Sequence, residues 1–184
     1  SSIITTTGYA TADFDQWPEY ARTVLVLLMF IGGCAGSTGG GLKVTRVVTL
    51  AKAAYGDMRK MLHPNAVIRV RMEGRALSEK QVRGVQAYFS VYMLLFAVSW
   101  LLLSLDGFDL ISTFTALAAC INNIGPGLGL VGPTGNFFAF SPWAKLLLSF
   151  DMLAGRLEIF PMLLLFAPSL WKKNRIIRKG ERQG

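Results

Sequence analysis

The chain has 184 residues, 52% of them hydrophobic and 16% charged, with a formal net charge of +8. Soluble domains carry roughly 25% charged residues, so this composition favours a membrane protein. The positive charge does not indicate nucleic-acid binding, because 16 of the 19 basic residues lie in two segments, 43–83 and 171–184. The positive-inside rule places both segments in the cytoplasm. Residues 1–21 and 106–142 contain acidic side chains and no Lys or Arg, so we expect them to face outward.

The first helix is predicted from the apolar run that begins at residue 24, VLVLLMFI. Residues 32–41 interrupt this helix, because six of the ten are glycine. Such a stretch forms either a movable loop that occludes a pore or a kink where helices pack closely. A further helix is predicted from Leu42 to Tyr55, with Lys43 and Arg46 as cytoplasmic anchors.

A cytoplasmic insert is predicted over residues 56–83. Val67–Met72 alternates in part, and Glu73-Gly74-Arg75 is a plausible turn. Ser78 and Gln81 have the spacing of a capping box, which predicts the start of the next helix.

The second half of the chain predicts one full span, one half-span and a final helix. Residues 85–105 hold no charge over 21 positions, and such a helix is about 31 Å long, enough to cross a hydrocarbon core. Residues 107–121 are apolar but too short to cross, which suits a re-entrant helix. Ser141-Pro142 predicts the start of the final helix, which extends over 143–171 and includes four charged positions: Lys145, Asp151, Arg156 and Glu158.

Two glycine-containing stretches share one register: Ile4–Thr11 (ITTTGYAT) and Cys120–Gly127 (CINNIGPG). Irregular backbone at membrane depth is tolerated only where protein buries it or where it lines a water-filled cavity. Glycine permits backbone angles that turn successive carbonyl oxygens to one side, and rows of carbonyls replace the water ligands of a cation. Both stretches fit a TVGYG-type filter that binds K+ through backbone carbonyls, with the candidate residues Thr6, Thr7, Gly8, Tyr9, Asn122, Asn123, Ile124 and Gly125.

Four motifs together resemble the C-terminal part of TrkH/KtrB-type potassium uptake proteins of the Trk/Ktr/HKT superfamily: ITTTGYAT, GGCAGSTGGGLKVTR, INNIGPGLG and AGRLEIFP. The resemblance implies an all-α membrane protein built from helix–re-entrant pore helix–filter loop–helix repeats. About one and a half of the four repeats are expected here. The expected divisions are the end of the third repeat (1–55), the cytoplasmic insert (56–83), the fourth repeat (84–171) and a basic cytoplasmic tail (172–184).

The resemblance also implies a gate beneath the filter. The expected gate residues are Gly32, Gly33, Gly36, Ser37, Thr38, Gly39, Gly40 and Gly41, together with Arg156 at the pore. Charge inside a membrane is costly and indicates function by default. The alternative for Arg156 is structural pairing with Glu158 or Asp151.

The expected function is channel-like potassium transport in the bacterial inner membrane. The expected partners are the lipid bilayer, the N-terminal half of the same protein, a second copy in a homodimer, and a nucleotide-binding cytoplasmic subunit of the TrkA/KtrA type. Contact with anionic lipid head groups is the alternative for the basic segments. Whether Na+ or H+ moves with K+ stays open.

Two other classes of function compete with transport. One is a non-conducting membrane anchor whose insert recruits a partner. The other is an enzyme, which has the least support because the sequence shows no nucleophile–base pair and no metal cluster. Gly127–Gly132 spells G-x-G-x-x-G, but no predicted strand precedes it, so no cofactor is expected.

Overall fold

The computed structural model describes residues 1–33, 42–62, 71–72 and 75–157. This part of the chain is mainly helical, as the sequence predicts. Its five α-helices are α1 (Glu19–Phe30), α2 (Val44–Leu62), α3 (Glu79–Leu103), α4 (Leu110–Ile121) and α5 (Pro142–Arg156).

Three of these helices begin at side-chain caps. At α3 the Ser78 Oγ accepts a hydrogen bond from the Gln81 amide (3.3 Å), and the Gln81 Oε1 accepts one from the Ser78 amide (2.9 Å). This is the predicted capping box. The Asp109 carboxylate caps α4, and Ser141 caps α5 with proline at the first helical position, also as predicted.

One helix in the described part of the chain, Glu79–Asp106, is long and apolar enough to cross a membrane. One face of α3 is buried against the protein, including Tyr92, Phe96 and Leu103. Its opposite face exposes apolar side chains such as Leu94 (65%) and Leu101 (72%). An apolar outer face suits a helix surrounded by lipid or by further transmembrane helices.

The short helix α4 lies at the centre of the described structure. Every residue from Thr115 to Ile121 is buried, and Ala116, Ala118 and Ala119 are fully inaccessible. Small side chains let the neighbouring helices approach closely. Its 12 residues are too few to cross a bilayer, which agrees with the predicted half-helix.

An aromatic cluster fastens α1 and α3 to α4. The Phe114 ring of α4 lies 5.9 Å from Phe30, 5.3 Å from Phe96 and 5.3 Å from Trp100, measured between ring centroids. Edge-on and tilted pairs at these separations are favourable. The cluster therefore fixes where α1 meets the half-helix.

The predicted break after α1 is present, and the chain returns beside it. Strand β1 (Ile31–Gly32) pairs in parallel with β2 (Leu42–Lys43). The entry to the glycine-rich stretch and the exit from it therefore lie side by side. Residues 34–41, with the predicted gate positions Gly36, Ser37, Thr38, Gly39, Gly40 and Gly41, are outside the described residues.

Helix α2 is longer than the sequence analysis predicts. It continues from the expected end at Tyr55 to Leu62, so the expected boundary of the insert falls within a helix. Gly56 lies within this helix and does not end it. Arg46, predicted as a cytoplasmic anchor, lies with its guanidinium 4.0 Å from the Tyr88 ring centroid.

The turn predicted at residues 73–75 falls mainly on residues 73–74, which are outside the described residues, and a short strand lies on each side of them. Strand β3 (Arg71–Met72) pairs antiparallel with β4 (Arg75–Ala76). The Lys52 ammonium donates a hydrogen bond to the Arg71 carbonyl (2.9 Å), which ties this hairpin to α2.

Candidate functional site

The two glycine-containing stretches form turns with matching hydrogen bonds. In the second, the amides of Asn122, Asn123 and Ile124 donate to carbonyls four, three and five residues earlier (3.2, 3.0 and 2.8 Å). In the first, the amides of Thr5, Thr6 and Thr7 donate at the same three offsets (3.1, 3.1 and 3.0 Å). The last two bonds form the Schellman pattern that ends a helix. The same turn therefore occurs twice, with Gly8 and Gly125 at matching positions.

Left-handed backbone also occurs at matching positions. Thr6 has φ 54° and Asn123 has φ 56°, while Gly8 and Gly125 have φ 78° and 111°. Asparagine tolerates this region and glycine favours it, but a β-branched threonine is strained there. Strain of this kind is concentrated at functional sites.

The two turns are in contact with each other. A Cβ atom added to Gly8 would collide with the Ile124 carbonyl oxygen, and it would lie 3.2 Å from Pro126 Cδ. Gly125 has open space where its side chain would be. A cavity of about 540 Å3 is lined by residues 1–5 and 7–12 and reaches Pro126.

The amide and carbonyl groups of these turns are used differently. The amides bond to the preceding turn, whereas among the described residues no hydrogen bond reaches the carbonyl oxygens of Thr6, Thr7, Asn123 or Ile124. The two turns therefore leave these four oxygens without a hydrogen-bond partner among the described residues.

The side chain of Asn122 is not available to an ion. It is fully buried, and its Nδ2 donates to the Ala118 carbonyl (2.8 Å). Its Oδ1 accepts a hydrogen bond from the Tyr92 hydroxyl of α3 (2.9 Å). Only the backbone of Asn122 can serve the filter that the sequence predicts.

Asn123 ties the second turn to α5. Its Nδ2 donates to the Met152 carbonyl (3.1 Å). One helical turn later, Gly155 lies against the end of α4, where an added Cβ would collide with the Ile121 carbonyl oxygen. The backbone of α5 therefore approaches the turn more closely than any side chain at position 155 would permit.

The first turn is held by its own residues. The Thr5 Oγ1, at the position that matches Asn122, lies 3.0 Å from the Ser1 carbonyl and 2.8 Å from the Thr7 Oγ1. Tyr9, predicted to line the filter, is 84% exposed and lies beyond the turn. The two turns thus share a backbone shape but differ in what supports them.

A clasp on the predicted outer side joins the two halves of the described chain. The Asp15 Oδ1 accepts a hydrogen bond from the Gly129 amide (3.1 Å) and lies 3.3 Å from Arg22. The loop after the second turn is also fixed to α4, since Thr115 Oγ1 accepts a hydrogen bond from the Leu128 amide (3.0 Å). This G-x-G-x-x-G segment therefore packs on the half-helix.

Three of the predicted gate residues, Gly32, Gly33 and Arg156, are among the described residues. Gly32 is buried in β1, and Gly33 follows it. Arg156 is the last residue of α5 and is exposed. Within the described residues no ion pair joins it to Asp151, whose Oδ1 instead accepts from Ser99 Oγ (2.9 Å). Glu158, the other predicted partner, is outside the described residues.

Sequence reasoning gives no role to three residues that build this site: Tyr92, Gly155 and Asp15. Tyr92 lies within an uncharged span, and a buried tyrosine hydroxyl usually has a hydrogen-bond partner. The sequence therefore indicates that Tyr92 has a partner, but not which residue it is. Gly155 lies in the AGRLEIFP motif, but the close approach that requires it is a property of the fold.

Comparison with known proteins finds one family model that matches residues 1–173, described as TrkH, cation transport protein. The chain is 44% identical over 172 residues to the Trk system potassium uptake protein TrkH of Escherichia coli K12, covering 94% of this chain and 35% of that protein. It is 38% identical over 173 residues to TrkI of Halomonas elongata, with the same two shares. The crystal structure of the potassium transporter TrkH from Vibrio parahaemolyticus superposes with a TM-score of 0.80 at 43% identity, covering 92% of this chain and 36% of that one. The chain spans about one third of the length of these relatives.

Proposed function

Because the chain belongs to the TrkH family of cation transport proteins, we propose that its two matched turns are two quarters of a potassium filter. The whole protein then moves K+ across the bacterial inner membrane in a channel-like manner. The family is one of transport proteins rather than enzymes, as the sequence predicts. Since this chain matches about a third of its relatives, the other quarters come from the rest of the protein.

The repeated turn carries this proposal. Two segments with different sequences, TTTG and NNIG, adopt the same hydrogen bonds and the same left-handed positions. Packing alone does not require both copies to meet, yet Gly8 contacts the Ile124 carbonyl. A pore formed by several copies of one unit around an axis requires such contact.

The proposed ion ligands are backbone oxygens of the predicted residues, Thr6, Thr7, Gly8 and Tyr9 in one quarter and Asn122, Asn123, Ile124 and Gly125 in the other. Carbonyls with no internal partner replace the hydration shell of a cation. The preceding half-helix adds the negative end of its dipole. The carbonyl oxygens and the helix dipole both favour a dehydrated monovalent cation over an anion.

The proposed gate is the glycine-rich stretch from Gly32 to Gly41. Parallel pairing of β1 with β2 holds its two ends side by side. Arg156 is proposed to restrain it, since α5 also holds the filter turn through Met152.

The remaining partners are proposed from family membership. They are the bilayer, the N-terminal half of the same protein, a second copy, and a regulatory subunit of the TrkA/KtrA type that docks on the basic cytoplasmic segments. Anionic lipid head groups are the competing ligand for those segments.

The experiment is a substitution of Gly125→Ser in the full-length protein, with ion uptake measured in liposomes. Gly125 has φ 111° and open space around its missing side chain, so serine strains the backbone without a clash. We expect a lower ratio of K+ to Na+ uptake. Gly84→Ser is the control, because Gly84 also has open space but lies on α3 at an exposed position.

Two results would contradict the proposal. Unchanged selectivity in Gly125→Ser would remove this turn from the ion path. Absence of K+ uptake by the wild-type protein would favour the membrane-anchor alternative.

A further inference from the structure

The hydroxyl of Tyr92 is the one side-chain contact that reaches the second turn from α3 among the described hydrogen bonds. Tyr92 is fully buried in the apolar middle of this helix, where a hydroxyl is costly unless it is hydrogen-bonded. It donates to the Asn122 Oδ1 over 2.9 Å. The bond connects residues 30 positions apart, on the spanning helix and on the filter turn.

Asn122 is held in one orientation. Its Nδ2 must face an acceptor, and it lies 2.8 Å from the Ala118 carbonyl. Its Oδ1 therefore faces the Tyr92 hydroxyl, which acts as the donor. The next residue is Asn123, whose left-handed backbone directs the chain into the turn. A fixed Asn122 thus fixes the start of the row of carbonyls.

We propose that Tyr92 is a specificity-determining positioning residue for the filter, acting through Asn122. The inference rests on the proposed function and concerns one quarter of the pore. Without the Tyr92 hydrogen bond, the carbonyl groups of Asn123 and Ile124 are no longer held in one position and direction. It does not remove any ion ligand, so K+ still passes.

The first turn supplies an internal comparison. Thr5, which matches Asn122, bonds to a carbonyl four residues earlier, as Asn122 does, but its other contact is Thr7 of the same turn. A threonine at position 122 can keep the bond to the carbonyl four residues earlier, as Thr5 does, and breaks the link to α3; Ile124, at the position of Thr7, offers no hydroxyl in return. The variant Asn122→Thr is therefore a test of the link that can keep this local bond.

The experiment compares Tyr92→Phe, Asn122→Thr and the double variant in the full-length protein, in liposomes, by K+ and Na+ uptake. Each single variant removes one buried hydrogen bond, which contributes about 1 kcal/mol. We therefore expect the K+/Na+ uptake ratio to fall by about fivefold in each single variant. The double variant should fall no further, since both changes break one link. The control is Tyr20→Phe, the same chemical change on an exposed ring of α1. It should keep the wild-type ratio.

The outcomes separate this inference from the proposed function. A wild-type protein without K+ uptake overturns both. A selective wild-type protein whose Tyr92→Phe and Asn122→Thr variants keep its ratio overturns only the role of Tyr92. Equal losses of K+ and Na+ uptake also overturn it, because a merely structural contact lowers the amount of folded protein without changing selectivity. Additive losses of selectivity in the double variant overturn it as well, because they show that the two residues act independently. If Tyr92→Phe does not fold, Asn122→Thr tests the same link alone.

Discussion

Gly155 offers the sharpest test of how α5 supports the second turn, which we propose as part of the filter. In the variant Gly155→Ala the new Cβ would collide with the Ile121 carbonyl oxygen and would lie 3.2 Å from the Asn123 Nδ2. A main-chain oxygen cannot rotate away, so α4 or α5 must move. Overpacking of this kind costs about 1–3 kcal/mol in the free energy of unfolding.

The matched control for this prediction is Gly84→Ala. Gly84 is a helical glycine with no atom within 4 Å of its added Cβ. Alanine there should stabilise the protein by about 0.5–1 kcal/mol, because glycine is the poorer helix former. The two variants make the same chemical change and are predicted to act in opposite directions.

The assay is thermal unfolding of the full-length protein in detergent, with the K+/Na+ uptake ratio measured in parallel. We expect Gly155→Ala to lower both the unfolding temperature and the ratio, since the displaced Asn123 begins the filter turn. Gly84→Ala should raise the temperature and leave the ratio unchanged. A Gly155→Ala protein as stable and as selective as the wild type would refute the close approach of α5 to this turn.

Two further predictions concern the outer clasp and the gate. Asp15→Ala should remove the acceptor of the Gly129 amide and raise hydrogen exchange in the loop after the second turn by several-fold, corresponding to roughly 1 kcal/mol for one hydrogen bond; unchanged exchange at Gly129 would contradict the clasp. Deleting Gly36–Gly41, or replacing Arg156 with Gln, should raise K+ flux under conditions that close the wild-type protein, and unaltered flux in a folded variant would favour a packing role for this stretch.

Some features could be predicted because their causes lie within a few residues. The starts of α3 and α5 follow from Ser78, Gln81 and Ser141-Pro142, since capping depends on adjacent side chains. The uncharged run over 85–105 and the short apolar run after it predict one span and one half-helix because length decides which can cross.

Other features depend on which segments meet in space. The capping geometry of Asn122 is local, but its link to Tyr92 spans 30 positions. The clasp from Asp15 to Gly129 spans 114. No spacing rule connects such residues, so the sequence predicts that the two turns exist and leaves their supports unassigned. Helix α2 continues past its predicted end at Tyr55 because Gly56 lowers helix stability without ending a helix.

The unpaired state of the turn carbonyls is the part of the site that the sequence does not predict. From TTTG and NNIG alone, glycine indicates that left-handed backbone is allowed. Glycine alone does not indicate that Thr6 and Asn123 also adopt left-handed backbone. Nor does it indicate that the amides of each turn donate hydrogen bonds to the residues before it. Both facts come from the repeated hydrogen bonds of the two turns.

The most direct test of the central claim is the position of a heavy K+ analogue, Rb+ or Tl+, in an experimental structure of the full-length protein. We predict anomalous density between the two turns, within coordinating distance of the Thr7 and Ile124 carbonyl oxygens. Density confined to other parts of the protein, with these carbonyls bonded to protein groups instead, would contradict the account.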